Sequence, residues 1–160
     1  MSCENLMRIA AVSKQAFRAN SGGRIDRDRP LTFTFNGKRL GGYTGDTLSS
    51  ALIANGISIV GRSFKYHRPR GIMSAGAEET NAFVQLLGSN EEPNVLATTL
   101  PLYEGLEAHS VNAWPSVHFD LGGMNNFLHR LFPAGFYYKT FMWPRDRWDW
   151  YSRFIRRVAG

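Results

Sequence analysis

The segment from Gly61 to Gly71, GRSFKYHRPRG, gathers four cationic side chains and a histidine around two aromatic residues. Guanidinium groups bind phosphates and carboxylates through paired hydrogen bonds. The segment therefore predicts a contact to a cofactor or substrate, or else salt bridges to a neighbouring domain. Because no glycine-rich phosphate-binding turn surrounds it, we favour the salt bridges. The candidate residues are Arg62, Lys65, His67, Arg68 and Arg70.

The remaining histidines and the single cysteine do not form a metal-binding pattern. His109, His118 and His129 are too scattered for a zinc motif, and Cys3 is the only thiol in the chain. A soft-ligand site needs further cysteines or closely spaced histidines. We therefore predict no metal site.

The loop after the basic segment carries polar side chains that lack catalytic partners. Ser74 is not in a G-x-S-x-G turn and has no evident base, so we read it as a loop residue rather than a nucleophile. Glu78 and Glu79 are adjacent carboxylates in a polar loop, whereas acid–base catalysis needs burial or a fixed partner. We expect Glu79 to accept hydrogen bonds from loop amides.

The charge and composition narrow the class of protein. A net charge of +6 attracts any anionic surface, but no zinc-finger, RNA-binding or helix-turn-helix motif accompanies it, so we expect no nucleic acid partner. The longest uncharged run, 47–60, is too short to cross a bilayer and is interrupted by Asn55-Gly56. Together with the single cysteine, these features predict a cytoplasmic protein without a membrane span.

Local signals predict a hairpin followed by a short helix. Residues 31–35 alternate apolar and polar side chains, and Asn36-Gly37 is a strong type I′ turn signal, so residues 38–43 should return as the partner strand. Thr47 is a helix N-cap, and Asn55-Gly56 is a stop signal. Further strands are predicted over 57–60, 82–87 and 95–99. This order predicts an α+β fold with a β-grasp sheet.

The second part of the chain differs in amino-acid composition from the first. Beyond Pro101 aromatic residues become dense while glycine and proline interrupt them, which predicts short pieces that pack on a neighbour. A final helix is predicted after Pro144, with Trp148, Tyr151, Ile155 and Val158 along one face. We divide the chain into an extended segment over 1–28, a β-grasp domain over 29–108 and an aromatic-rich docking extension with a terminal helix over 109–160.

The loop from Gly71 to Gly88 and the run 97–99 resemble the cluster loop and return strand of plant-type [2Fe-2S] ferredoxin domains. Such a cluster needs four thiolates, and none is available at these positions. The resemblance thus implies a ferredoxin-like domain without a cluster, in which electron transfer is not expected. The ligand places are filled by Ser74, Glu79, Ala82 and Thr98.

Three further motifs, over 22–27, 61–71 and 133–144, occur in the order found in the alpha subunit of heterotetrameric sarcosine oxidase, which the chain resembles. The resemblance implies an oxidoreductase that demethylates sarcosine to glycine with oxygen and tetrahydrofolate. It also implies FAD, FMN and NAD in the complete enzyme, and as partners the remaining alpha-subunit domains and the other subunits. No G-x-G-x-x-G turn follows a strand, so we expect this chain alone to bind no cofactor.

Our leading hypothesis is therefore a structural portion of such a subunit, without a complete active site in this chain. One alternative is a stand-alone basic interaction module from a truncated or split gene. A second is a ferredoxin-like electron carrier. The reading frame after Gly160 separates the first two, and iron analysis tests the third.

Overall fold

The computed structural model describes residues 14–88, 91–126 and 149–153. Residues 1–13 of the predicted N-terminal segment lie outside this range, as does most of the aromatic-rich extension. Of the helix predicted after Pro144, residues 149–153 are described and are helical. None of the described helices is both long and apolar enough to cross a membrane.

The predicted hairpin is confirmed. Strand β1 (Asp26–Phe35) pairs antiparallel with β2 (Lys38–Thr44), and Phe33 lies opposite Leu40. Asn36 and Gly37 both have positive φ, of 50° and 74°, as a type I′ turn requires. The local sequence signal therefore sets the turn and the register together.

The predicted helix is also confirmed, as α1 (Leu48–Ala54). Thr47 caps it through a capping box with Ser50, and the Asn55 N–H bonds back to the last turn. Gly56, with φ of 79°, ends the helix. The helix buries one face in the core, consisting of Leu48, Ser49, Ala51, Leu52 and Ala54.

Five strands form the main sheet, in the order β2-β1-β7-β5-β6. The last three are β5 (Phe83–Leu86), β6 (Glu92–Leu96) and β7 (Glu107–Ser110). β7 pairs parallel with β1 and antiparallel with β5. A parallel central pair beneath a helix that follows the first hairpin is the β-grasp arrangement, so the α+β ferredoxin-like fold is confirmed.

Strand β7 was not among the sequence predictions. Only Ala108 of its four residues is buried, and the strand has no long run of β-branched side chains. Its place at the centre of the sheet comes from its neighbours on both sides, which a local pattern does not reveal.

A second sheet has two strands, β3 (Ile59–Arg62) and β4 (Pro69–Gly71). The strand predicted over 57–60 is therefore shifted towards the basic segment, and the predicted loop contains β4. Ile59 lies opposite Gly71 and Arg62 opposite Pro69. The basic segment is thus a hairpin whose turn spans residues 63–68.

The core lies between the main sheet and α1. Phe33 and Leu40 from the hairpin, Leu52 from α1, Val84 from β5 and Leu106, which precedes β7, are fully or almost fully buried in one cluster. This core holds rigid the strand ends from which the two loops described next emerge.

Candidate functional site

The four positions that resemble cluster-ligand places come together around one loop. Residues 72–82 connect β4 to β5, and Thr98 follows β6. The Thr98 hydroxyl donates to the Gly76 carbonyl over 2.8 Å, and the Ala97 N–H donates to the Ala82 carbonyl over 2.9 Å. We call residues 72–82 the cluster loop. Hydrogen bonds to the residues that follow β6 hold this loop in place.

Glu79 points into this loop. Its Oε2 accepts the N–H groups of Met73 and Ser74, each over 2.6 Å, and its Oε1 accepts the N–H of Asn81 over 2.7 Å. The residue is only 4% exposed. The prediction that Glu79 accepts hydrogen bonds from loop amides is confirmed.

The pKa of Glu79 reports the balance of two effects. Burial alone would raise it, because burial disfavours the charged carboxylate. Hydrogen bonds from the backbone N–H groups of Ser74, Asn81 and Met73, with a smaller contribution from the Thr80 N–H, outweigh burial and lower the pKa from 4.5 to about 2. The carboxylate is therefore ionised at neutral pH although only a small part of the residue is exposed.

The residues at the four positions do not fit a [2Fe-2S] cluster, which is held by thiolates. Ser74 and Thr98 offer hydroxyls, Glu79 a carboxylate and Ala82 only a methyl group. The Glu79 oxygens are already bonded to backbone amides, and Ala82 is completely buried. Among the described residues, no cluster of three His, Cys, Asp or Glu side chains could hold a metal ion.

Two of the five predicted contact residues of the basic segment turn inward. Arg62 donates from Nε to the Val117 carbonyl over 2.8 Å and from Nη1 to the His67 carbonyl over 2.7 Å. The His67 Nδ1 lies 2.7 Å from Oδ2 of Asp120. Both side chains thereby fasten the basic hairpin to the segment 114–122.

Asp120 is the residue on which these contacts converge, and the sequence did not single it out. Its side chain is 1% exposed, and its Oδ1 accepts the N–H groups of Trp114 and Gly122, each over 3.1 Å. Arg62 Nε lies 3.6 Å from its Oδ2. The one local signal is the Asp-x-Gly spacing, which is typical of an Asx turn.

The pKa of Asp120 is lowered. Burial opposes this shift, but the Trp114 amide, the His67 side chain through its hydrogen bond and charge, and the Gly122 amide together outweigh burial. Asp120 is therefore a charged anchor between two distant parts of the chain.

The other three predicted contact residues remain near the surface. Arg68 and Lys65 lie over the Tyr66 ring, with the Arg68 Cζ 5.1 Å and the Lys65 Nζ 4.8 Å from its centroid. Arg70 donates to the Asn81 side-chain oxygen. Two cations on one aromatic ring form a positively charged face, which we call the Tyr66 face.

A groove of about 440 Å³ lies beside the cluster loop. Residues 18–27, the start of α1 and the cluster loop line it, and Ile72 contributes to its apolar part. Arg18, one of the lining residues, donates two hydrogen bonds to the buried Asp46, of 2.7 and 3.1 Å. Ser74 also lines the groove, and its buried hydroxyl has no hydrogen-bond partner among the described residues.

Sequence comparisons relate the chain to one protein family and to three curated proteins. Residues 28–113 match the model of a family described as a 2Fe-2S iron-sulfur cluster binding domain. The sarcosine oxidase subunit alpha of Rhizobium meliloti (strain 1021) is 56% identical over 147 residues, which are 91% of this chain and 15% of that protein. The sarcosine oxidase subunits alpha of Corynebacterium sp. strains U-96 and P-1 are 42% and 45% identical over 55% and 53% of this chain.

A solved structure, an L-proline dehydrogenase from P. horikoshii, is similar over 56% of this chain and 16% of that chain, at 24% identity and with a TM-score of 0.42. The chain spans 10% and 9% of the two Corynebacterium relatives. The family match covers more than half of the chain and includes both the sheet and the cluster loop. The chain therefore belongs to the 2Fe-2S iron-sulfur cluster binding domain family and is a homologue of the sarcosine oxidase alpha subunit.

Proposed function

We propose that this chain is a cluster-free, ferredoxin-like structural portion of a sarcosine oxidase type alpha subunit. The observation that carries the proposal is the cluster loop, where the Glu79 carboxylate is buried and bonded to three backbone amides at a position where a cluster would need a thiolate. The 56% identity to a sarcosine oxidase subunit alpha over 91% of the chain supports the enzyme class.

In this proposal the complete enzyme oxidises sarcosine to glycine with oxygen and tetrahydrofolate, using FAD, FMN and NAD bound by other parts of the assembly. This chain alone contributes no catalytic residue. The aromatic-rich extension over 109–160 docks on the flavin-containing portion, and the protein works in the cytoplasm. The proposal that other parts of the assembly bind the cofactors is tested by the reading frame downstream of Gly160. This frame should continue and encode a nucleotide-binding motif.

The decisive test for the cluster is reconstitution of the purified 160-residue chain with iron and sulfide under anaerobic, reducing conditions. We expect iron and sulfide at background level and no visible absorption, while a plant-type ferredoxin treated in parallel gains its cluster. Stoichiometric iron and sulfide in the chain would overturn the proposal and support the electron-carrier alternative. The same chain should also lack flavin absorbance and sarcosine oxidation.

For the basic segment we propose contacts to a neighbouring domain through Lys65, Arg68 and Arg70, whose charges lie near the surface. Arg62 and His67 support that face from behind by fastening it to Asp120. The double variant Arg68→Gln, Arg70→Gln in the complete enzyme tests this division. We expect weakened assembly with unchanged flavin content per assembled enzyme, whereas loss of flavin from intact assemblies would favour a direct cofactor contact.

A further inference from the structure

Three backbone N–H groups converge on the carboxylate of Glu79 from both sides of the cluster loop. Those of Met73 and Ser74 are successive in sequence and share Oε2, and that of Asn81 approaches Oε1. Concave loops in which successive N–H groups point inward bind anions, including phosphates and iron–sulfur centres. The cluster loop therefore has the geometry of an anion site, and its occupant is a side chain of the same protein.

No positively charged side chain is needed to explain the burial of this carboxylate. Among the ion pairs between described residues, none includes Glu79. Arg70, the cation that borders the loop, donates to the side chain of Asn81. The neighbouring Glu78 is exposed to solvent. The negative charge is thus balanced by backbone dipoles, as in other amide-lined anion sites.

The rest of the loop depends on this occupant. Without the carboxylate, the N–H groups of Met73, Ser74 and Asn81 would lose the acceptor that they share, and a buried unpaired donor is costly. Thr98 closes the loop from the other side through its hydrogen bond to Gly76. Glu79 and Thr98, at two of the positions that resemble ligand places, therefore form hydrogen bonds where a cluster-binding domain would form metal bonds.

We propose that the cluster loop is an anion-binding loop whose ligand is the chain's own Glu79 carboxylate, which takes the electrostatic place of an iron–sulfur centre and keeps the loop folded. The inference rests on the proposed cluster-free function. It adds that negative charge, rather than a hydrogen-bond acceptor of the right shape, is the requirement at this position.

The test removes the internal anion and supplies an external one. Glu79→Ala in the full 160-residue chain deletes a group that acetate matches atom for atom. Leaving the amides unpaired should lower the melting temperature by roughly 8 to 16 °C. Acetate at constant ionic strength should then raise the melting temperature of this variant with a saturable dependence on concentration, and the wild-type chain should not respond.

Acetamide serves as the uncharged control ligand, and Glu78→Ala serves as the control variant, because it removes a neighbouring carboxylate that is exposed. Equal rescue by acetamide would overturn the requirement for charge. A melting temperature for Glu79→Ala equal to that of Glu78→Ala, or no response of Glu79→Ala to acetate, would overturn the anion site itself.

If Glu79→Ala does not fold without an additive, the same titration is followed as refolding by far-ultraviolet circular dichroism. A folded fraction that rises with acetate supports the proposal, and one that ignores acetate overturns it. Every sample is assayed for iron, which separates this proposal from the proposed function. Bound iron would defeat the cluster-free role, whereas missing rescue in an iron-free chain would defeat only the role of Glu79.

Discussion

The cluster loop and the segment 114–122 are each held by one buried carboxylate, yet the two carboxylates are stabilised in different ways. Within the described ranges, Glu79 accepts hydrogen bonds from loop amides only, all within six residues of it. Asp120 combines two local amides with the side chains of Arg62 and His67, which are distant in sequence. Glu79 therefore shapes a single loop, whereas Asp120 ties two parts of the molecule together.

The two carboxylates contribute to different parts of the molecule. The Asp120 anchor fixes the basic hairpin and so positions the Tyr66 face, which we propose as an interdomain contact. The Glu79 anchor lies in a loop that lacks thiolates at the ligand-like positions. We propose that one carboxylate positions an interaction surface and that the other keeps the cluster loop folded.

The largest effect is expected from Asp120→Ala. The substitution leaves the partly buried Arg62 without its counter-charge, His67 without its hydrogen-bond partner and two amides without an acceptor, which should lower the free energy of unfolding by about 3 to 5 kcal/mol. Urea unfolding of the full chain measures this. Asp28→Ala, which removes an exposed carboxylate, is the control. Equal stability of the two variants would show that Asp120 is not an anchor.

A smaller loss of stability should follow from Gly122→Ala. A methyl group at Gly122 would overlap the imidazole of His67, so the ring or the backbone that holds Gly122 must shift and disturb the contact with Asp120. We expect a loss of about 1 to 3 kcal/mol in the free energy of unfolding. Gly123→Ala is a matched control, because a methyl group there meets no atom of the described part of the chain within 4 Å. If both variants unfold at the same urea concentration, the packing of His67 on Gly122 has no energetic importance.

The pH dependence of stability separates the charge of Glu79 from its shape. Because the folded-state pKa of about 2 is below the ordinary value of 4.5, the carboxylate stabilises the fold fully above pH 4.5 and loses this effect as the pH falls towards 2. Glu79→Gln should cost about 1 to 2 kcal/mol near neutral pH, where charge-assisted hydrogen bonds are lost.

The difference between the wild-type and Glu79→Gln urea midpoints should therefore shrink through the same acid range. Asp120 is present in both proteins, so its own titration cancels in the difference. A difference that stays constant from neutral pH down to pH 2 would mean that the charge of Glu79 does not matter for stability.

Thr98→Val should have a modest effect. It keeps the shape of a buried side chain but removes the hydroxyl that donates to Gly76, which should cost about 1 kcal/mol. Thr99→Val is the control, because Thr99 is exposed and bonds only within its own turn. Thermal unfolding of the two variants side by side gives the comparison, and identical melting temperatures would remove Thr98 from the closure of the loop.

The smallest effect on the isolated chain is expected for Arg68→Gln. Arg68 is exposed, and its described contact is with the Tyr66 ring, so the free energy of unfolding should change by less than about 0.5 kcal/mol. Differential scanning fluorimetry is sufficient to check this. A large loss of stability would mean that the Tyr66 face is part of the fold rather than a surface for a partner.

Much of the fold could be predicted because its signals are local. Asn36-Gly37 defines a hairpin turn, and Thr47 with Gly56 marks the ends of a helix, all through bonds to residues a few positions away. Strand β7 was missed because its four residues owe their position to β1 and β5. The domain limits proposed from the sequence, and the cofactor role of the basic segment, stay predictions.

The amino-acid sequence by itself determined that thiolates are missing from the four ligand-like positions, and that a carboxylate stands among loop amides able to bind it. Only the tertiary structure decided that Asp120 would join Arg62 and His67, and that two of the five basic-segment candidates would turn inward. The physical reason is the separation in sequence between the residues that interact. Hydrogen bonds within a loop join residues that are close in sequence, so a local pattern can predict them. A contact between residues more than fifty positions apart forms only when the folded core brings the two segments together.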